Sequence, residues 1–181
     1  MFLLLFANAV SVLLPILISG LFFIASIKRG WLKVLNHPID FGLNIFGPNK
    51  NWRGAFFYIF GGTLIVYVLH FLQPTQSWIA GYYANDPFWL GVSTTAGYVV
   101  GELVNSFVKR RFKLAPGATA KTKVGRFIQA LFDNVDGALA SGLVLLFVYR
   151  VDGSLLATAF ALSLFTHWST DVVMRRLKLK G

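Results

Sequence analysis

The sequence contains no cysteine, which excludes a disulfide framework, a thiolate nucleophile and any cysteine-based metal centre. Acids are scarce: 7 Asp and Glu stand against 17 Lys and Arg, a formal net charge of +10. No internal repeat and no low-complexity segment interrupts the chain, so residues 1–181 read as a single domain. The opening apolar run has no basic residue ahead of it and no clear small-x-small cleavage site. It is also far longer than a signal's apolar region, and it reads as a retained helix.

Apolar residues fill the space left by these absences. They make up 56% of the chain, and they fall in runs rather than in the alternating or striped patterns of a water-soluble fold. About 20 apolar residues carry a helix across the hydrocarbon core. Five stretches meet that length: Phe2 to Ile27, Gly54 to Gln73, Phe88 to Val108, Phe127 to Tyr149 and Leu155 to Met174. The expected fold is an all-α integral membrane protein of five transmembrane helices. Pro15 should be tolerated in the first of these because neighbouring groups can satisfy the backbone it frees.

In a soluble domain, a charge of +10 would suggest nucleic acid, but the placement of the bases excludes that partner. Lys28, Arg29, Lys33, Lys50 and Arg53 lie between the first two stretches, and a basic loop from Lys109 to Arg126 joins the third and fourth. Arg175, Arg176, Lys178 and Lys180 close the chain, so all but one of the basic residues share a side, Arg150 being the exception. The positive-inside rule then sets the N-terminus outside and the C-terminus in the cytoplasm of a multi-pass cell-membrane protein. Anionic membrane lipids are the expected neighbours of Arg111, Lys113, Lys121, Lys123 and the C-terminal bases.

Glu102, Asp133 and Asp136 stand out because they lie within the apolar stretches. Three lipid-facing acids would cost roughly 8 to 10 kcal/mol on an insertion scale, so they should face a polar cavity instead. Glu102, Asn105, Ser106 and Lys109 recur at helical spacing and share one face. Asp133 and Asp136, spaced i and i+3, place two carboxylates where a cation such as Mg²⁺ can bind with substrate phosphates. The alternative is a structural network in which these acids pair with Lys109, Arg110 or Arg126. Asn49, Lys50 and Arg53 at the entrance to the second stretch, with Lys109 and Arg110 at the exit of the third, are the candidate phosphate contacts. Asp40 is a turn acid or a substrate contact, and His167 with Asp171 forms a further polar pair.

At these residues the chain resembles the CDP-archaeol synthase family, relatives of the CDP-diacylglycerol synthases. The resemblance runs through Pro38-Ile39-Asp40-x-Gly42, Gly47-x-Asn49-Lys50-x-Trp52-Arg53-Gly54, Gly101-Glu102-Leu103-x-x-Ser106-x-x-Lys109-Arg110-Arg111 and Asp133-x-x-Asp136. It implies a Mg²⁺-dependent cytidylyltransferase that moves CMP from CTP to a membrane lipid phosphate at the cytoplasmic face. The lipid is an isoprenoid ether such as 2,3-di-O-geranylgeranylglyceryl phosphate, or phosphatidic acid. Asp133 and Asp136, joined by Glu102, would hold metal, while Ser106, Lys109 and Arg110 would do the work of catalysis on the phosphates. Asn49, Lys50, Arg53, Asn105 and Asp40 would bind substrate.

Two positions depart from the family pattern: Glu102 stands where an Asp is usual, and Asp171 where an Asn is usual. The reading admits a homodimer. Its rival is a small transporter or proton-coupled channel using the buried acids as a relay. A CDP-alcohol phosphotransferase lacks support, because Asp136-Gly137-Ala138 matches only part of that motif.

Overall fold

The computed structural model describes residues 2–115, 118 and 122–176, apart from the side chains of 123, 127, 131, 134 and 167–176. The chain opens with α1 (Phe2–Arg29) and an irregular segment containing one 3₁₀ turn. Next come α2 (Trp52–Phe56), a π-helical turn (Phe57–Gly61) and α3 (Gly62–Leu72), which run on as one rod. After a second irregular segment follow α4 (Pro87–Arg111), α5 (Lys123–Phe147) and α6 (Gly153–Arg176). Among the described residues there is no strand, only an isolated antiparallel bridge between Pro38 and Asn51.

The protein is therefore all-helical, with a helix over each of the five apolar stretches. Two of these, α1 and the rod Trp52–Thr75, are long and apolar enough to cross a membrane. A third candidate is α5, whose halves Val124–Ala130 and Val135–Phe147 meet at 44°. In α4 the core-facing Gly91, Thr94, Thr95 and Gly101 dilute the apolar character, and the apolar part of α6, Gly153–Thr166, is shorter than a span. Phe2, Leu21, Phe60 and Phe71 lie exposed on the helices, an arrangement that suits hydrocarbon better than water.

Local chemistry sets the helix ends. Asp86 caps α4 by accepting the Trp89 N–H at 2.9 Å, with Pro87 in the first helical turn. Thr122 caps α5 by accepting the Gly125 N–H at 3.0 Å, so that helix starts four residues before the apolar stretch at Phe127. Helix α1 runs unbroken through Pro15. Proline has no N–H to give to the Ser11 carbonyl one turn back, and the Tyr83 hydroxyl takes that place, donating to it at 2.8 Å. The Ser11 hydroxyl in turn accepts the Ala80 N–H at 3.1 Å. This joint ties α1 to the 79–83 segment within a core that includes Ala9, Val66, Leu69 and Leu90.

Small residues allow the helices to approach closely, as in membrane bundles. A Cβ at Gly91 would lie 2.8 Å from Thr63 of α3, and one at Gly137 would lie 2.6 Å from the Tyr98 ring. At Gly101 a Cβ would run into the Asp136 carbonyl oxygen and come within 2.8 Å of Ala140. Gly142, further along α5, faces open space instead. The consequence for function is that the polar face of α4 lies hard against the acid-bearing turn of α5.

Candidate active site

The loop between α1 and α2 is folded by its own backbone. Ile39 donates to the Lys50 carbonyl at 2.9 Å and Trp52 to the His37 carbonyl at 3.1 Å, which clips the two ends of the loop together. Asn51 then caps α2 by accepting the Gly54 N–H at 2.8 Å. Within the loop the buried Asp40 carboxylate accepts the Phe46 N–H at 2.9 Å and the Gly42 N–H at 3.1 Å. These bonds, chiefly that from Phe46, hold the Asp40 pKa below its ordinary value of 3.8. They also hold a turn in which Phe41 and Gly42 have φ of 53° and 86°. Gly47, at φ 93°, packs against the Arg110 side chain, where a Cβ would lie 3.0 Å from Nε.

Asp40 is thus spent on its own loop and does not line the cavity. A carboxyl with a depressed folded pKa stabilises above its unfolded value, and that contribution is lost as pH falls through the lower folded one. The loop should accordingly loosen only in acid, below pH 3.8. Asp40→Asn offers one acceptor oxygen where the carboxylate offered two, so it should loosen the loop at neutral pH. The amides of Gly42 and Phe46 should then exchange hydrogen for deuterium faster than in the wild type, and unchanged exchange would remove this role.

Lys50, presented by the loop, enters a polar cavity of about 310 Å³. Glu102, Asn105, Ser106, Lys109 and Arg110 reach it from α4, and Asp133 and Asp136 from α5. Asn49 and Gly47 complete one wall. The 44° bend of α5 falls between Ala130 and Val135, next to both aspartates. There the Asp136 carboxylate accepts the Gly137 N–H at 2.6 Å, a side chain intruding on the helical hydrogen-bond ladder.

Asn105 organises the acids. Its Nδ2 donates to Asp133 Oδ1 and to Asp136 Oδ2, each at 2.7 Å. Lys109 forms an ion pair with Asp133 at 2.7 Å, and Lys50 forms one with Glu102. Arg110 donates to the Leu114 carbonyl, while its buried Nε has no hydrogen-bond partner among the described residues. A buried N–H left unpaired is costly, and a phosphate oxygen would satisfy it.

Arg53 does not reach this cavity. It is buried and donates from Nη2 to Asn36 Oδ1 at 3.2 Å, so it braces the start of the loop against α2. The side chains of His167 and Asp171 lie outside the described residues. Sequence spacing did not single out Tyr98, although it stands one turn before Glu102 on the same face of α4. Its ring stacks on Tyr58 of the π turn, with centroids 5.0 Å apart.

Among the described residues no three His, Asp or Glu side chains gather as a metal cage. Two carboxylates nevertheless converge on one electropositive point, the Asn105 amide. Mg²⁺ binds through one or two carboxylates and completes its shell with waters and phosphates, and the Asp133 and Asp136 pair fits that pattern. Glu102, grouped with them by sequence, is engaged by Lys50 instead.

Fold and cavity together define a helical protein suited to a membrane, whose polar site sets carboxylates beside basic side chains. The chain belongs to the CarS-like CDP-archaeol synthase family, whose model matches residues 3–181. It is 32% identical to the CDP-archaeol synthase of Pyrococcus furiosus over 155 residues, covering 80% of this chain and 81% of that one. The CDP-archaeol synthase of Methanococcus maripaludis strain S2 is 26% identical over 152 residues, covering 79% and 80%. With that of Pyrococcus abyssi the identity is 37% over 91 residues, about half of either chain. No solved structure matches. Membership makes this chain an enzyme and implies CTP-dependent cytidylyl transfer to a lipid phosphate. The channel reading loses its ground.

Proposed function

We propose that the protein transfers CMP from CTP to an isoprenoid glycerol ether phosphate, giving a CDP-lipid and pyrophosphate, with Asp133 and Asp136 holding a divalent cation. One observation carries the reading: Asn105 gathers both aspartates in a cavity that also receives Lys50, Lys109 and Arg110. The choice of lipid follows the names of the archaeal relatives.

The chemistry requires no protein nucleophile. An oxygen of the lipid phosphate attacks the α-phosphorus of CTP, a new P–O bond forms, and the bond to the β-phosphate oxygen breaks to release pyrophosphate. Two polyanions must meet, so the dominant demand is for fixed positive charge in a site that water does not fill. Lys109 supplies it by exchanging its carboxylate partner for a phosphate, and Lys50 by donating to a phosphate while it keeps Glu102. The Arg110 Nε supplies a further donor, one without a partner among the described residues. A cation on Asp133 and Asp136, when bound, would neutralise phosphate charge and polarise the reacting phosphoryl group.

The assay uses the purified protein with Mg²⁺, labelled CTP and a panel of lipid phosphates. A CDP-lipid should form from the isoprenoid ether phosphate more readily than from phosphatidic acid, and chelation of the cation should stop it. No CDP-lipid from any lipid phosphate would sink the proposal.

The proposed topology has five crossings, the N-terminus outside and the cavity open to the cytoplasm, supported by the one-sided distribution of bases. A chain without cysteine lends itself to a direct test. Arg150→Cys should react with an impermeant maleimide on intact cells, and Lys33→Cys only after permeabilisation. The reverse pattern would invert the orientation.

A further inference from the structure

Behind the Lys50–Glu102 ion pair lies a second chamber of about 130 Å³. Asn49, Lys50 and Glu102 line both this chamber and the main cavity, so the ion pair is a wall the two spaces share. Phe23, Tyr58, Val99 and Gly54 of α2 are among its other lining residues, with the aliphatic Ile39 and Leu103. The main cavity is lined by charges of both signs and suits a polyanion. The smaller chamber joins flat aromatic surface to amide and carboxylate groups, which suits an uncharged heteroaromatic ring.

Building on the cytidylyl-transfer reading, we propose that this chamber receives the pyrimidine ring of the nucleotide while its phosphates occupy the main cavity. The chamber's volume is sufficient for one six-membered ring. At its mouth the Asn49 side chain is exposed and has no hydrogen-bond partner among the described residues. Its amide brings two donors and an acceptor, enough to read the ring's edge.

Glu102 adds the discrimination. A carboxylate accepts at about four lone-pair positions, so after engaging Lys50 through Oε2 it retains capacity for the 4-amino group of cytosine. Uracil would turn its 4-keto oxygen against that carboxylate and leave acceptor facing acceptor. Lys50, in the shared wall, then stands between ring and phosphates.

Two substitutions fill the chamber, Val99→Phe from α4 and Gly54→Ala from α2. A methyl at Gly54 would meet Asn51 Oδ1 at 3.4 Å and Phe23 Cζ at 3.5 Å, ordinary contacts that preserve the fold. The readouts are the KM for CTP and the inhibition constant of inorganic tripolyphosphate, a base-free probe, during CDP-lipid formation by the full chain. Val99→Phe should raise the KM for CTP by about tenfold or more, since even a methylene in such a pocket is worth 10-fold or greater discrimination. Gly54→Ala should raise it less, and tripolyphosphate inhibition should stay at the wild-type level in both. Asn49→Ala should erode the preference for CTP over UTP. Equal weakening of CTP and tripolyphosphate, or an unchanged KM in both filling variants, would overturn the assignment. A wild-type protein that makes no CDP-lipid would instead refute the activity beneath it, and the chamber's assignment with it.

Discussion

Asp136→Asn should lower CDP-lipid formation by about 100-fold or more while the protein still inserts in the membrane and folds, a loss of the size seen when one preorganised charge-stabilising group is removed. The fold should survive because the Asp136 contacts are ones an amide can partly keep. Its Oδ1 accepts the Gly137 N–H at 2.6 Å and its Oδ2 accepts from Asn105 at 2.7 Å. The lost element is negative charge beside Asp133. Asp133→Asn should act in the same direction and also free Lys109, its partner at 2.7 Å. Turnover of either variant within a few-fold of wild type would remove the aspartates from the reaction.

The second large effect is expected at a residue that carries no charge itself. Gly101→Val should cost about 1–3 kcal/mol of stability, the usual range for overpacking, and should abolish most activity as well. A side chain there meets the Asp136 backbone and Ala140 across the α4–α5 contact, and neither is the free end of a flexible group. The helices must part. Asn105, one turn further along α4, would then be drawn away from both aspartates, and a displacement of about 1 Å at a reacting centre can cost 100-fold in rate. Gly142→Ala serves as the control, since a Cβ there meets nothing within 4 Å. Near-normal activity in Gly101→Val would break the link between helix approach and site geometry.

The sequence foreshadowed the five helices and the polar face of α4 because each depends on local pattern. Apolar runs of membrane length gave the first, and the i, i+3, i+4 spacing of Glu102, Asn105, Ser106 and Lys109 gave the second. The helix ends were less legible, since the start of α5 depends on a single cap, Thr122, outside the apolar stretch. The π turn at Phe57–Gly61 left no pattern in composition.

Of the pairings across elements, that of Lys109 with an acid was among the alternatives read from the residues, and the others were illegible for a different reason. Lys50 meets Glu102 over 52 positions of chain, and Asn105 meets Asp136 over 31. Each contact depends on how two elements are rotated against each other. Asp40 and Arg53 stood beside the right motifs yet serve the loop, because backbone N–H groups and Asn36 reach them first.

The central claim is that Asp133 and Asp136, gathered by Asn105, hold the cation that meets the nucleotide. The most direct measurement is Mn²⁺ binding followed by electron paramagnetic resonance, in the presence of CTP, for the wild type and for the Asp133→Asn, Asp136→Asn double variant. The account predicts bound Mn²⁺ in the wild type and its loss in the double variant. Equal Mn²⁺ binding by both proteins would contradict it.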